Sequence, residues 1–141
     1  MLRLQLVTLT GVKFDDDVYE VIIPTLDGEI GVLQNHMPLI SVATTGAVVV
    51  KKNRTDTEAQ REYFAISGGV VEIEHNNLKI IVDEADHANN INEAEAEAAH
   101  QRAMQMKSEA KDQVSLERAQ QMIDRAGARL EVAKLKRRHL R

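Results

Sequence analysis

Side chains able to do catalytic chemistry are few in this sequence, and none stands in a recognised spacing. There is no Gly-x-x-x-x-Gly-Lys-Ser/Thr phosphate loop, no Gly-x-Gly-x-x-Gly turn and no His-Glu-x-x-His zinc pair. Cysteine is absent, which removes thiolate chemistry. The remaining candidates are scattered, without metal-ligand spacing or a nucleophile elbow: His36, His75, His87, His100 and His139, and Ser41, Ser67, Ser108 and Ser115. We therefore expect a noncatalytic chain with no metal and no cofactor.

Three short segments admit a functional interpretation beside a structural one. Asp15-Asp16-Asp17 could hold a cation, but an acidic run between strands is more typical of a solvated loop. Ser67-Gly68-Gly69 could present a nucleophile, but no paired base is visible and a structural turn is favoured. His36 could titrate near neutral pH or dock a partner, although a turn histidine satisfied by backbone groups is the more ordinary interpretation.

The C-terminal end of the chain is strongly basic. Between Met122 and Arg141 there are seven Lys or Arg residues against Asp124 and Glu131, a charge of +5 over twenty residues. Cations are favourable near a helix C-terminus, and this is one explanation of the charge. The excess is larger than compensation of a helix dipole needs, which also indicates a patch for an acidic partner or a phosphate.

Composition excludes several classes of protein. The chain has 141 residues, of which 43% are hydrophobic and 28% charged, so it can form a core but is too short for a large multidomain enzyme. Aromatic residues make up 3% and the formal charge is −4, a poor composition for binding nucleic acid. No apolar run approaches the ~20 residues of a membrane span, and the N-terminus lacks a signal-peptide pattern. We expect a soluble chain made in the cytoplasm, with any membrane association through a partner.

The elements that would position these side chains change character near residue 87. Residues 1–87 carry 7 basic and 14 acidic side chains, and residues 88–141 carry 11 and 8. Six of the seven Gly and both Pro lie before residue 70, whereas Ala dominates the second part. The sequence therefore predicts two parts, at residues 1–87 and 88–141, with different architectures.

The first part has the period-two hydrophobicity of β-strands. The predicted strands are Leu2–Leu6, Val18–Ile23 ending at Pro24, Ile30–Leu33, Gly46–Lys52, Tyr63–Ser67, Val70–Glu74 and Leu78–Asp83. Their short spacing, with no helix between them, predicts a small antiparallel β-sandwich or barrel. Between two of these strands, Gly68-Gly69 predicts a bulge or a close backbone approach.

The second part has the 3-4 spacing of two helices in an antiparallel hairpin. The predicted seams are Ala96, Ala99, Ala103, Met106 and Ala110, then Leu116, Ala119, Ile123, Ala126, Leu130 and Ala133. Asn92, with Glu95 three residues later, is the predicted first cap, and Ser115 the second. Because most seam residues are Ala, we expect a shallow free-energy minimum and hypothesise that the helix pair can exchange its internal seam for a partner surface.

Two motifs give the sequence a family resemblance that covers nearly the whole chain. One is Asp27-Gly28-Glu29-Ile30-Gly31-Val32-Leu33, followed by His36-Met37-Pro38-Leu39-Ile40. The other is Phe64-Ala65-Ile66-Ser67-Gly68-Gly69-Val70-Val71-Glu72-Ile73. In this order, with a sandwich before a helix pair, they resemble the epsilon subunit of the F-type rotary ATP synthase of bacteria.

The resemblance implies a noncatalytic rotor subunit of a proton-translocating ATP synthase, which couples c-ring rotation to ATP synthesis. Its partners would be the gamma subunit, the c-ring and the catalytic alpha and beta subunits, so that it would lie on the cytoplasmic face of the membrane. The loop carrying Glu29 and His36 would face the stalk or c-ring. The helices would inhibit ATP hydrolysis by turning a basic face toward acidic segments of the catalytic subunits; that face comprises Arg125, Arg129, Lys134, Lys136, Arg137 and Arg138.

Some relatives bind ATP between the helices through Ile/Leu-Asp-x-x-Arg-Ala and further arginines. In this chain the segment is Ile91-Asn92-Glu93-Ala94-Glu95-Ala96, with Asn for Asp and Glu for Arg. The other matching positions are Asp86, Arg102, Arg125 and Arg129. Because Glu95 reverses a charge expected near phosphate, the resemblance predicts a degenerate site with weak or absent ATP binding.

Two other classes of function are compatible with the sequence. The chain could be a stand-alone nucleotide sensor, which the altered ATP motif argues against. It could also be an unrelated β-sandwich adaptor that self-associates through its helices, and a stable homo-oligomer in sedimentation would identify it.

Overall fold

The computed structural model describes residues 1–139. Residues 2–87 form ten strands, because their alternating hydrophobicity places apolar side chains on one face of each strand. The strands are β1 Leu2–Thr8, β2 Gly11–Val18, β3 Glu20–Thr25, β4 Gly28–Leu33, β5 Leu39–Ala43, β6 Gly46–Lys51, β7 Glu62–Ile66, β8 Gly69–Glu74, β9 Asn77–Val82 and β10 Ala85–His87. Two helices follow, α1 Glu93–Glu109 and α2 Gln113–His139. The predicted sandwich followed by a helix pair is confirmed. Sequence patterning missed β2, β5 and β10, and β3 includes Pro24 instead of ending before it.

The strands form one sheet in the order β10-β7-β6-β3-β5-β8-β9-β1-β2, with β4 attached to β3. Neighbouring strands are antiparallel except β1 and β9, which are parallel, with Leu4 opposite Leu78. The sheet folds over so that its inner face encloses one core. That core is aliphatic apart from Phe64, and Phe64 lies edge-on to Phe14 with ring centroids 5.8 Å apart. Each large aliphatic side chain buried there contributes about 1.5–3 kcal/mol.

Asp15, Asp16 and Asp17 lie within β2, so the predicted solvated loop is wrong. β2 is the terminal strand of the sheet, where charged side chains remain hydrated and protect an unpaired edge. Arg3 Nε lies 2.9 Å from Asp15 Oδ1, and Lys52 Nζ lies 3.5 Å from Asp16 Oδ2. The backbone N–H of Asp17 donates to Asp16 and is the main cause that lowers the pKa of Asp16. Strand propensity alone does not predict such an edge.

Gly69 provides the close backbone approach that the double glycine predicts. A β-carbon at this position would overlap the carbonyl oxygen of Ile81 and lie 2.9 Å from Val82 Cα. Ser67, just before it, is buried, and its hydroxyl accepts from the backbone N–H of Glu84 at 2.8 Å. The Ser67-Gly68-Gly69 segment therefore holds β7, β8 and the chain after β9 together.

The two helices are capped by side chains that accept from exposed backbone N–H groups. Asn92 Oδ1 accepts from Glu95 N–H at 3.0 Å, which confirms the first predicted cap. The second predicted cap, Ser115, is wrong, because Asp112 Oδ1 accepts from Ser115 N–H at 2.7 Å and the helix begins at Gln113. This hydrogen bond lowers the pKa of Asp112. Only three residues, 110–112, separate the helices, as an antiparallel hairpin requires.

Alanines form most of the contact between α1 and α2. Of the predicted seam, Ala96, Ala103, Ala119, Ala126, Leu130 and Ala133 are buried. Met106 and Leu116, near the tip of the hairpin, are exposed instead. The seam is therefore tightest close to the sandwich and loosens toward the tip.

Substitution Gly69→Ala should lower the free energy of unfolding by about 1–3 kcal/mol, because backbone atoms of the neighbouring strand must move. As a control, Gly127→Ala on α2 should raise it by up to about 1 kcal/mol, since the added carbon lies 3.8 Å from His100 Cδ2 and alanine favours a helix. Urea denaturation measures both changes. A Gly69→Ala chain as stable as wild type would contradict the prediction.

Because a carboxylate caps α2, the helicity of α2 should decrease as the pH falls into the acidic range. The pKa of Asp112 is below its ordinary value of 3.8 in the folded chain, so its contribution is complete above 3.8 and is lost as pH falls through the folded value. Circular dichroism at descending pH should show α2 fraying in the wild type. Asp112→Asn, which caps without a titratable group, should remove that component, and identical acid profiles would argue against the cap.

Candidate functional site

The C-terminal half of α2 packs on the outer face of β6 and β7. The packed residues, called here the helix–sandwich contact, are Tyr63, Ala65, Ala88, Ala128 and Val132, with Ala47, Val49, Ile91 and Leu135 partly buried around them. Tyr63 Oη donates to the carbonyl oxygen of Glu58 at 3.0 Å, and burial raises the pKa of Tyr63. The contact is small, so it holds α2 with modest free energy.

Arginines of α2 face carboxylates around the helix–sandwich contact. Arg125 Nη1 lies 3.6 Å from Glu84 Oε1, and Arg129 Nε lies 3.6 Å from Asp86 Oδ2. The two arginines are one turn apart on α2, and the two carboxylates lie two residues apart at β10, so the spacings match. Both distances exceed hydrogen-bond length, and all four side chains are substantially exposed. Such pairs contribute little individually.

The space between these arginines and carboxylates is small. The cavity that Arg125, Arg129, Glu84 and Asp86 line measures about 10 Å³. A cavity of that size accommodates about one water molecule. In this arrangement of the helices, the arginines are occupied by the chain's own carboxylates.

The residues predicted as a degenerate ATP site are only partly brought together. Asp86, Arg125 and Arg129 are neighbours, as described above. Asn92 instead caps α1, with its side-chain oxygen used by Glu95 N–H. Arg102 is exposed on α1 and does not line that cavity. No single site in this conformation contains all five residues.

The six residues predicted as a basic inhibitory face are not presented together in this conformation. Arg125 and Arg129 are paired as described, and Arg137 Nη1 lies 3.0 Å from Glu93 Oε1 on α1. Lys136 is half-buried, whereas Lys134 and Arg138 are exposed. Arg141, another residue of the basic end, lies outside the described residues.

Glu29 and His36 are not in one loop, which corrects the sequence interpretation. Glu29 lies in β4, opposite Pro24 near the β3–β4 turn, and is exposed. His36 follows the other end of β4, and its Nδ1 lies 2.7 Å from Met37 O. Because the strand rises about 3.3 Å per residue, β4 separates the two side chains by more than 10 Å. The two residues can therefore make separate contacts.

The outer face of the sandwich carries exposed apolar side chains that sequence analysis missed. Val42, Val70, Ile81, Val7 and Val12 lie opposite one another in adjacent strands and are called here the apolar row. All are exposed except Val7, which is half-buried. The signal in the sequence was apolar doublets such as Val70-Val71 and Ile80-Ile81, which place hydrophobic side chains on both faces of a strand. Contiguous exposed apolar surface is typical of interaction sites in proteins.

Residues 1–139 contain no cluster of three or more His, Cys, Asp or Glu arranged to hold a metal ion. In the same part of the chain, no helix has both the length and the apolar character of a membrane span.

Residues 1–88 match a family model described as ATP synthase, Delta/Epsilon chain, beta-sandwich domain. The chain is similar to the ATP synthase epsilon chain of Latilactobacillus sakei subsp. sakei, with 36% identity over 94% of this chain and 92% of the relative. It is 39% identical to the epsilon chain of Staphylococcus haemolyticus, covering 95% and 97% of the two chains. In a cryo-EM structure of Euglena gracilis mitochondrial ATP synthase, one chain has the same fold, with a TM-score of 0.79 and 21% identity over 94% of this chain and 81% of that one.

Packing, more than ion pairing, should hold α2 on the sandwich. Val132→Ala should lower the opening free energy of α2 by about 1.5–3 kcal/mol, because a fully buried side chain is truncated. A double-mutant cycle of Arg129→Gln and Asp86→Asn should give a coupling below about 1 kcal/mol. Hydrogen exchange of the α2 amides measures both values.

Val114→Ala is the matched control for Val132→Ala, because Val114 is on the same helix and 66% exposed. It should leave exchange of the α2 amides near residue 132 unchanged. A coupling energy of the Arg129–Asp86 pair larger than the effect of Val132→Ala would reverse the conclusion.

Proposed function

The chain belongs to the epsilon-chain family of ATP synthase, and from that premise we propose that it acts as a noncatalytic central-stalk subunit of a proton-translocating F-type enzyme. In this role it couples rotation of the c-ring to ATP synthesis. Its partners are the gamma subunit, the c-ring and the catalytic alpha and beta subunits. It is held at the cytoplasmic face of the membrane through the complex, with no contribution to catalysis from its own side chains.

The observation that carries this proposal is that identity to the bacterial epsilon chains extends over both the sandwich and the helix pair. A chain that shared only the sandwich would be a weaker candidate for the same role. An unrelated adaptor would have no reason to match along the helices as well.

The apolar row supports docking of the sandwich on another subunit. It crosses β5, β8, β9, β1 and β2, and thus presents a rigid surface built on paired strands. Exposed Val and Ile side chains in such a row gain free energy when a partner removes them from water. We assign this face to the gamma subunit.

Glu29 and His36 support two further contacts at opposite ends of β4. Glu29 is an exposed carboxylate beside a tight turn, and His36 is half-buried in the turn that follows the strand. Their separation suits a sandwich wedged between two partners, the stalk and the c-ring. A patch on a single partner would not require it.

The helix pair supports a regulatory role because its contacts are weak and numerous. Its seam is built mostly from alanines, and its ion pairs with the sandwich are exposed. Release of α2 from the sandwich would free Arg125 and Arg129 from their carboxylates. Together with Lys134, Lys136, Arg137 and Arg138 they would then meet acidic segments of the catalytic subunits and inhibit ATP hydrolysis.

Binding of ATP by this chain is weak or absent in the proposed mechanism. Glu84 and Asp86 already lie beside the arginines that a phosphate would need, and Glu95 adds a further negative charge at the start of α1. The carboxylates of Glu84 and Asp86 thereby hold α2 on the sandwich without a nucleotide.

A cross-link that fixes α2 on the sandwich should remove inhibition of ATP hydrolysis without preventing the chain from binding to the catalytic complex. Ala65→Cys with Ala128→Cys places two thiols in the helix–sandwich contact of a chain that has no native cysteine. Catalytic complex from the same organism, depleted of this chain, is reconstituted with the oxidised or the reduced variant. The reduced form should slow ATP hydrolysis several-fold, and the oxidised form should bind equally but inhibit little.

The single variant Ala128→Cys, treated with the same oxidant, controls for oxidation and should inhibit like the wild type. Loss of free thiols verifies the cross-link. Equal inhibition by the oxidised and reduced double variants would refute the mobile-helix mechanism, whereas failure of the wild-type chain to bind the complex would refute the stalk assignment itself.

A further inference from the structure

A second cavity, of about 220 Å³, lies beside the helix–sandwich contact at the C-terminal end of α2. Arg61 and Glu62 line it at the start of β7, and His87 lines it at the end of β10. Asn89 lines it from the segment before α1, and Lys136 lines it from α2. It is far larger than the cavity of about 10 Å³ at Arg125 and Arg129. The two cavities share none of their lining side chains.

Two cations face this cavity without a partner. Arg61 Nε is buried and lacks a hydrogen-bond acceptor. Within residues 1–139, neither Arg61 nor Lys136 has a carboxylate oxygen within 4.0 Å of its charged nitrogens. By contrast, Arg125, Arg129 and Arg137 on the same helix each have a carboxylate. A buried N–H donor without an acceptor costs free energy that an anion at Arg61 Nε would recover.

The carboxylate on the cavity wall already has two partners. Glu62 Oε1 lies 3.2 Å from His87 Nε2, and Glu62 Oε2 lies 3.5 Å from Lys52 Nζ. His87 Nδ1 accepts from Asn89 N–H at 3.0 Å, so this nitrogen carries no proton and Nε2–H donates to Glu62. Arg61 and Lys136 are therefore the charged side chains of the lining that have no ion pair among the described residues.

We propose that this cavity binds a small oxyanion of the phosphate class, either free phosphate or the phosphate group of a small monoester, between Arg61 and Lys136. A guanidinium group suits two phosphate oxygens at once, and the ammonium group of Lys136 supplies a second charge. The bound anion joins the start of β7 to the end of α2. It therefore binds only when α2 is docked, and its binding stabilises the docked helix.

The full-length chain alone is sufficient for the test, so its outcome does not depend on the stalk assignment. Inorganic phosphate and glycerol phosphate are titrated at constant ionic strength. NMR follows the Arg61 Nε–H resonance of the wild type together with the backbone amides of the other lining residues Glu62, His87 and Asn89, which remain as reporters in the Arg61 variants. We expect a saturable shift with a dissociation constant in the millimolar range. Tighter binding of the ester identifies a monoester as the ligand, and equal or weaker binding identifies free phosphate.

Arg61→Gln and Lys136→Gln should each weaken binding at least tenfold. Arg61→Lys keeps the positive charge but loses the guanidinium group that can donate to two phosphate oxygens at once. It should weaken binding less than Arg61→Gln does. Lys134→Gln is the matched control, because Lys134 is exposed on the same helix and does not line the cavity. Phosphate should also slow amide exchange over residues 128–136 in the wild type but not in Arg61→Gln.

Shifts that never saturate would overturn the proposal, as would equal weakening by Lys134→Gln. Saturable shifts at Arg125 and Arg129 with none at Arg61 would also overturn it, by moving the anion to the other cavity. A saturable shift at Arg61 with no change in α2 exchange would refute the link to helix docking.

Discussion

The contact of α2 with β6 and β7 is the interaction on which the arrangement of the whole chain depends. One face of α2 packs against α1 in the alanine seam, and another face packs on the sandwich. Both of these faces therefore carry small side chains. Val132 is fully buried in the sandwich contact, while Ala126 and Ala133 belong to the seam. Small residues allow close approach but bury little apolar area, which limits the free energy of docking.

The charged side chains around this contact differ in whether they have an ion-pair partner. Exposed pairs such as Arg125–Glu84 orient the helix and are screened by salt. Arg61 and Lys136, deeper against the sandwich, lack such partners. At one end of the contact, the cations of α2 therefore have carboxylates of the same chain beside them. At the other end Arg61 and Lys136 have none, and an external anion supplies the missing negative charge there.

Regular periodicity made the sandwich, the helix pair and the Asn92 cap predictable from sequence. The segments that periodicity cannot describe were missed: β2 is polar because it is an edge strand, and Asp112 caps α2 because the helix starts before its apolar pattern does. The site was less predictable. Family resemblance placed Asp86 and Arg129 in one predicted site without predicting their ion pair. That pair, the apolar row and the Arg61–Lys136 cavity depend on strand register and helix placement, which local spacing does not encode.

The parallel pairing of β1 with β9 has a consequence for how the chain is made. Leu2, Leu4 and Leu6 are buried in the core. β2 can pair with one edge of β1 early, but the strand on its other edge is Asn77–Val82, so β1 is enclosed only after nearly the whole sandwich sequence has left the ribosome. Contacts so distant along the chain form slowly and leave apolar surface exposed in the meantime. The helix hairpin, by contrast, is local and arrives last. The sandwich is therefore the part of the molecule that folds slowly, whereas the helix hairpin, whose contacts are local, can form rapidly.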